Sequence, residues 1–205
     1  MKESKIIGWA KRLQALSQSG AFYTKNQFDI QKFEEIREIS AEMMAFVGDE
    51  DLEKVKDIFL DGKGYQTPKL DVRAAIFKDD KILLVQDTRG HWALPGGYVD
   101  ITDSVQEALK KECLEEAGRI VEFNKLVSVV DQSASQLNAS AYSYIKMYAI
   151  MDEISGEFKE NPETVAAEYF PIDDLPELGK YRTTPDQIRL CYEASLDDCW
   201  KTIVE

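Results

Sequence analysis

An α+β fold, with a mixed sheet and a small helical domain in front of it, is what this chain predicts, and three observations point there. Before Pro68 the apolar residues recur at spacings of three and four; after it the period becomes that of strands; and one central segment carries the signals of both ends of a helix. From Ser4 to about Ser17, Ile6, Trp9, Ala10, Leu13 and Leu16 share one helical face. Phe33, Ile36, Ile39, Ala41, Met43 and Met44 predict a second helix, and Leu52, Val55, Ile58 and Phe59 a third, with Gly20 and Gly48 as breaks. Gly62, Gly64 and Pro68 interrupt any helix. The boundary therefore falls near 62–68, with a helical domain at 1–66 and a second domain at 67–205.

Beyond the boundary, Leu70 to Phe77 and Lys81 to Gln86 read as strands joined by a hairpin turn at Asp79-Asp80. Leu126 to Asp131, rich in Val, and Tyr142 to Ile150, dense in aromatic and apolar residues, are further strands. Between the two pairs, Ser104 and Glu107 have capping-box spacing and Gly118 suits a helix end, which places a helix at about 105–117. A last helix is expected from about Pro185 to Trp200. Strands around a central helix, with another helix at the end, imply an α+β or three-layer arrangement.

The formal net charge is −13. No basic stripe offsets it, which argues against a long nucleic-acid partner, since a polyphosphate backbone would be repelled. An acidic chain that handles a phosphate ester must recruit cations locally, from a few Arg and Lys side chains or from divalent metal. Cys113, Cys191 and Cys199 form no C-x-x-C pair and no disulfide framework, so a reducing cytoplasm is expected. The first twenty residues interrupt their apolar positions with Lys, Arg and Gln, unlike a signal peptide, and no apolar run reaches membrane-spanning length. The expectation is a cytoplasmic protein with no membrane partner.

The chemistry is concentrated in LPGGYVDITDSVQEALKKECLEEAGRI, Leu94 to Ile120. At about 100° per residue, Glu112 and Glu116 project in the same sector as Val105, Ala108 and Leu109, with Glu115 at its edge. One reading is a solvated helix face, the usual meaning of a charge run. The other is that carboxylates crowded beside an apolar stripe repel one another, lose water, and become tolerable when hard cations such as Mg²⁺ or Mn²⁺ sit between them. Gly96-Gly97 adds a turn that lets a ligand approach the main chain, although on its own such a pair is only a tight turn.

This segment resembles the signature box of the Nudix hydrolases. Gly97 starts the match, Asp103 stands where the first Glu belongs, Lys111 where Arg belongs, Glu112 follows, Cys113 fills the apolar place, Glu115-Glu116 supply the acidic pair and Gly118 closes the helix. Arg119 departs from the final apolar position. The resemblance implies a Nudix-type α/β/α sandwich with a mixed sheet. It also implies Mg²⁺ or Mn²⁺ held by Glu112, Glu115 and Glu116 at the Gly97 turn, with Lys111 orienting the acids by ion pairing. Asp103 is one methylene short, and Lys111 offers a point charge in place of a planar fork.

The implied reaction is hydrolysis of the diphosphate bond of a nucleoside diphosphate derivative, with one of the three glutamates as ligand and possible base. The family often draws a base from a later loop, where Glu163 and Glu168 are candidates, Glu168 being the one taken here. Arg73 is a candidate for holding phosphate by paired hydrogen bonds, or else a surface residue. Gly96, Gly97, Trp92 and Tyr142 complete the expected substrate site; Trp92, Tyr98 and Tyr142 are candidates for stacking on a base, although aromatics in such strands are more often core. His91 is the only histidine, which excludes multi-His metal sites. The N-terminal segment is similar to the helical extension of a bacterial Nudix branch containing CDP-choline pyrophosphatase and proteins named ADP-ribose pyrophosphatases. That branch implies a small nucleotide substrate, CDP-choline-like by preference over ADP-ribose, and a homodimer framed by the extension. The rival reading is a nucleotide-sensing module whose turnover is weakened by Asp103 and Lys111.

Overall fold

A computed structural model describes residues 2–48, 51–132, 142–179 and 182–205, with backbone alone at 2–4. The chain divides into two units, Met1–Pro68 with Ser133–Ser143, and Lys69–Gln132 with Tyr144–Glu205.

The first unit holds α1 (Lys2–Tyr23), α2 (Gln27–Gly48) and α3 (Leu52–Leu60). Ala10, Ala41, Met44, Val55 and Phe59 form its apolar centre. The expected break at Gly20 is not one: α1 runs through it, and a Cβ there would lie 2.5 Å from the Phe33 ring. Gly20 serves close approach of α1 and α2 rather than termination. Several polar residues are also buried in this unit. Gln14 Nε2 donates to Phe59 O (2.9 Å), Gln18 Nε2 to Gly64 O (3.0 Å), and Arg37 Nη2 to Phe59 O and Gly62 O (both 3.0 Å). They satisfy the carbonyls that the end of α3 leaves without intrahelical partners.

The second unit contains β1 (Lys69–Ala75), β2 (Phe77–Lys78), β3 (Lys81–Asp87), β4 (Trp92–Ala93), α4 (Val105–Ala117), β5 (Arg119–Asp131), β6 (Tyr144–Gly156), β7 (Thr164–Pro171), α5 (Pro185–Leu196) and β8 (Ile203–Val204). One mixed sheet runs β1-β6-β5-β8; a second runs β2-β3-β4, with β7 on the other edge of β3. The strand expected as Leu70 to Phe77 is two, because the chain leaves the first sheet after Ala75 and enters the second at Phe77. Asp79 and Asp80 both have positive φ (51° and 56°), as the two-residue hairpin demands.

Two cores separate three layers. Val72, Ala74, Ile76, Leu83 and Val85 pack with Ala108, Leu109, Cys113 and Ala117 of α4. Ala75, Ile82, Leu84, Tyr148 and Ile150 pack with Ile188, Cys191 and Ala194 of α5. β5 begins at Arg119, seven residues before the expected start, and β6 runs from Tyr144 to Gly156. β7 forms where a loop is expected, paired antiparallel with β3. The final helix stops at Leu196, where Asp197 takes an extended conformation, instead of reaching Trp200. Among the described residues no helix is long and apolar enough to cross a membrane.

Candidate active site

The site begins where residues 95–99 run against β1. Ala74 N donates to Pro95 O (2.9 Å), Val72 N to Gly97 O (2.9 Å) and Val99 N to Leu70 O (3.1 Å). Contact this close requires glycine at position 96: its φ is +144°, and a Cβ would stand 2.0 Å from Val72 O. The Gly96 N–H then donates to Glu116 Oε2 at 2.8 Å. A Cβ on Gly97 would lie 2.6 Å from Glu112 Oε1, so that glycine leaves room for the second carboxylate. The turn and the helix are therefore matched, each glycine meeting one acid.

α4 holds those acids because both its ends are fixed. Ser104 and Glu107 form the capping box, and Gly118 closes the helix at φ 64°. Glu116 is buried, Glu112 half-buried, and Glu115 exposed. Burial pushes Glu112 up to about 7, helped by the charge of Glu116, while Arg73 opposes the shift and Glu115 and Glu163 add to it. Glu116 is also raised, first by burial, against the Gly96 hydrogen bond and the charges of Arg73 and Arg182. Among the described residues no three acids converge as a ligand set: Glu116 and Glu112 are buried and half-buried, and like-charge repulsion favours Glu115 turned to water. The pair still fits a hard divalent ion, since burial disfavours the charge on both carboxylates and the charge of Glu116 further raises the proton affinity of Glu112, a penalty that a bound cation would relieve. Gly97 O already accepts from Val72 N–H and keeps one lone pair for a ligand.

Lys111 turns away from this pair. Its ammonium group binds Asp100 and lies 3.9 Å from Asp103 Oδ2, which raises its pKa, chiefly through the hydrogen bond to Asp100. It ties down the loop before α4, and of the three glutamates expected to pair with it, Glu115 is the one whose charge acts on it.

A second segment reaches the acids through Asn161. Its side chain accepts from Glu163 N (3.0 Å) and Thr164 N (2.9 Å) and donates to Glu115 O (2.9 Å), while Thr164 Oγ1 donates to Glu116 O (2.8 Å). This Asx turn fastens the start of β7 to the last carbonyls of α4. Glu163 is thereby brought close enough to raise both Glu112 and Glu116. Glu168, in contrast, is an exposed residue of β7 opposite Leu84. The strand, absent from the sequence expectation, is what carries it away from the turn.

Arg73 is buried, not a surface residue. Its Nε and Nη2 form a fork on Asp71, both at 2.8 Å, and Nη1 donates to Leu94 O at 3.3 Å. Burial alone would lower its pKa; the charge and hydrogen bonds of Asp71 more than reverse that. Trp92 meets Phe170 edge-on, centroids 4.7 Å apart, and packs on the α5-side core. Tyr98 stacks on Tyr144 at 5.9 Å with Lys69 Nζ 5.1 Å from its ring centroid. His91 is exposed, 3.7 Å from Asp87. Tyr142 groups with the helical unit, where its carbonyl accepts from Lys11 Nζ. Asp71, Lys146, Asn161 and Arg182 were not singled out in the sequence; of these only Asn161, in the turn-forming run Asn161-Pro162-Glu163-Thr164, carries a local signal.

The comparisons with known proteins agree with this geometry. A model of the NUDIX domain matches residues 67–190, and a model described as a UDP-X-like N-terminal oligomerisation domain matches residues 4–59. YjhB of Bacillus subtilis, provisionally named an ADP-ribose pyrophosphatase, is 35% identical over 99% of this chain and 98% of its own. An ADP-ribose pyrophosphatase of Methanocaldococcus jannaschii is 34% identical over 56% of this chain and 69% of its own. Among solved structures, a UDP-X diphosphatase is 33% identical with a TM-score of 0.64, covering 99% of this chain and all of its own. An ADP-ribose pyrophosphatase of Streptococcus suis is 44% identical with a TM-score of 0.63, covering 68% of this chain and all of its own. The glycine turn, the capped acidic helix and a domain match over most of the chain lead to one assignment: the chain belongs to the Nudix hydrolase family.

Proposed function

We propose that this pyrophosphohydrolase splits the diphosphate bond of a small nucleoside diphosphate derivative, releasing a nucleoside monophosphate and a phosphorylated alcohol or sugar. The observation that carries the reading is the pairing of Glu112 and Glu116 with the Gly96-Gly97 turn, beside the buried Arg73. Glu112, Glu116 and the Gly97 carbonyl, joined by Glu115 on a change of rotamer, would hold Mg²⁺ or Mn²⁺. When bound, the metal would neutralise phosphoryl oxygens and lower the pKa of a bound water. Arg73, locked by Asp71, presents fixed positive charge beside the acids. Glu163, held by Asn161 and facing Glu112 and Glu116, takes the place proposed in the sequence for Glu168 as a base from a later segment. Lys111 acts by bracing the loop that carries Asp103.

Relatives named for ADP-ribose and UDP-X put ADP-ribose and UDP-linked compounds level with CDP-choline as substrates to test. Incubation with all three classes and Mg²⁺ or Mn²⁺, followed by an assay for released monophosphate, decides among them. Silence across that panel would replace the hydrolase with a nucleotide-binding module, a reading favoured by one observation: Lys111 engages Asp100 instead of the acid pair.

The helical unit is proposed to pair two chains. Trp9, Leu13 and Leu16, at i, i+4 and i+7 of α1, form an exposed apolar stripe, and the model matching this region is described by oligomerisation.

A further inference from the structure

On the α5-facing side of the first sheet, two neighbouring cross-strand rows are polar. Asp71 lies in register with Lys146, and Arg73, Tyr148 and Ser128 are in register across β1, β6 and β5. All five residues are buried. The Tyr148 and Ser128 hydroxyls have no hydrogen-bond partner among the described residues, and Tyr148 is only 1% exposed. Buried hydroxyls are costly when left unsatisfied, so each marks a place where a ligand atom or an ordered water completes the structure. Burial keeps Tyr148 protonated, hence a donor, within the fields of Arg73 and Asp71.

Cations gather at the same place. Arg73 is fixed on Asp71; Lys146 Nζ stands 3.9 Å from Asp71 Oδ1 and donates to Arg182 O at 2.9 Å. The side chain of Arg182 is 47% exposed and contributes to the field at Glu116, as does Arg73. The cluster thus runs from the acid pair on α4 to the surface at Arg182. A diphosphate bears negative charge on both phosphoryl groups, and the carboxylates, with a metal bound, would serve one of them. The second needs donors and positive charge, which an acidic protein must supply from fixed side chains.

We propose that Arg73, Lys146 and the Tyr148 hydroxyl form an anion subsite for the second phosphoryl group of the substrate, with Arg182 at its mouth. The inference rests on the diphosphate reading above and adds the residues that hold the non-reacting phosphate. It makes Lys146 and Tyr148 binding residues, acting equally on ground and transition states, so their loss raises KM more than it lowers kcat.

Inorganic phosphate is the probe. The intact protein, Lys146→Met, Tyr148→Phe and a control, Lys78→Met on the β2–β3 hairpin, are titrated with it by calorimetry in Mg²⁺, and the same samples are assayed on the substrate panel. Phosphate affinity should fall about tenfold in Lys146→Met and roughly threefold in Tyr148→Phe, and stay unchanged in the control. A wild-type protein that takes up no phosphate, or equal affinity in all four, overturns the subsite. So does a Tyr148→Phe protein that melts higher with undiminished phosphate binding, since its hydroxyl then met only water. Tyr148→Phe is isosteric and keeps the test valid should Lys146→Met fold poorly. Turnover without differential phosphate binding removes the subsite and leaves the hydrolase; differential binding without turnover does the reverse.

Discussion

The two units bury polar side chains to different ends. In the helical unit Gln14, Gln18 and Arg37 direct their donors to the main-chain carbonyls of residues 59–64, and Ser40 to its own helix; among the described residues only Arg37 Nε is left over. In the sheet unit Glu112 and Glu116 are held away from their ordinary pKa, and among the described residues the Tyr148 and Ser128 hydroxyls and Arg119 Nε have no hydrogen-bond partner. Buried polarity that is satisfied on the spot is architecture; buried polarity left strained marks where something else binds. The apolar surfaces differ as well. The sheet unit exposes apolar residues on several elements, Leu114, Ile154 and Leu196 among them, whereas Trp9, Leu13 and Leu16 line up along the single helix α1.

Four experiments would break or sharpen that contrast. The largest effect is expected from Glu116→Gln, which should cost roughly 10²–10³-fold in turnover, the scale of losing one preorganised electrostatic contact. Its melting temperature should not fall, because a neutral amide replaces a carboxyl whose charged form burial disfavours; near-normal rates would sink the assignment of the acid pair. Next, Trp9→Asp with Leu16→Asp should weaken self-association by about thirtyfold or more, the loss of a contact worth at least ~2 kcal/mol. Sedimentation would read it, and an unchanged sedimentation profile would free the stripe from any role in pairing.

Arg37→Met should destabilise the helical unit by about 1–3 kcal/mol by orphaning the carbonyl of Gly62 and leaving Phe59 O with Gln14 Nε2 as its side-chain donor. Hydrogen exchange would find the loss in α1–α3 while turnover per folded molecule holds; a drop in turnover alone would erase the distinction between the units. The smallest effect concerns Lys146, whose pKa burial lowers from 10.5 to about 8, with the charge of Arg73 helping. Below pH 8 folded and unfolded chains are both protonated there, and the cost of the buried charge is present in full. Between pH 8 and 10.5 the folded chain releases the proton first, so this group makes stability rise with pH. Lys146→Met should lack that rise, a difference of about 2–4 °C between neutral and alkaline melting curves; parallel curves would contradict the buried charge.

What the sequence made legible was local. Ser104, Glu107 and Gly118 declare the ends of α4 because capping is decided within four residues, and Asp79-Asp80 declare a hairpin for the same reason. Where the cause lay elsewhere in the chain, the reading failed. Gly20 breaks helices in isolation yet sits inside α1 because Phe33 packs against it. The first half of β5 carries Glu122, Asn124 and Lys125 and lacks an apolar run, and β7 is recognisable only through its pairing with β3. At the site, the spacing of Glu112 and Glu116 was enough to place both on one face. The nearness of Glu163 to Glu112 and Glu116 was hidden, because it depends on Asn161 reaching the end of α4. Nor could Arg73 be seen to be locked, since Asp71, two residues away along a strand, is an acceptor only when both side chains leave the same face.

The short contact between the Gly96 amide and Glu116 has a practical consequence. Glycine amides are sparse and well separated in a proton–nitrogen spectrum, and an amide proton shared with a carboxylate shifts strongly with that carboxylate's charge. One resonance should therefore report, residue by residue and without any substrate, when the acidic helix takes up a proton or a cation.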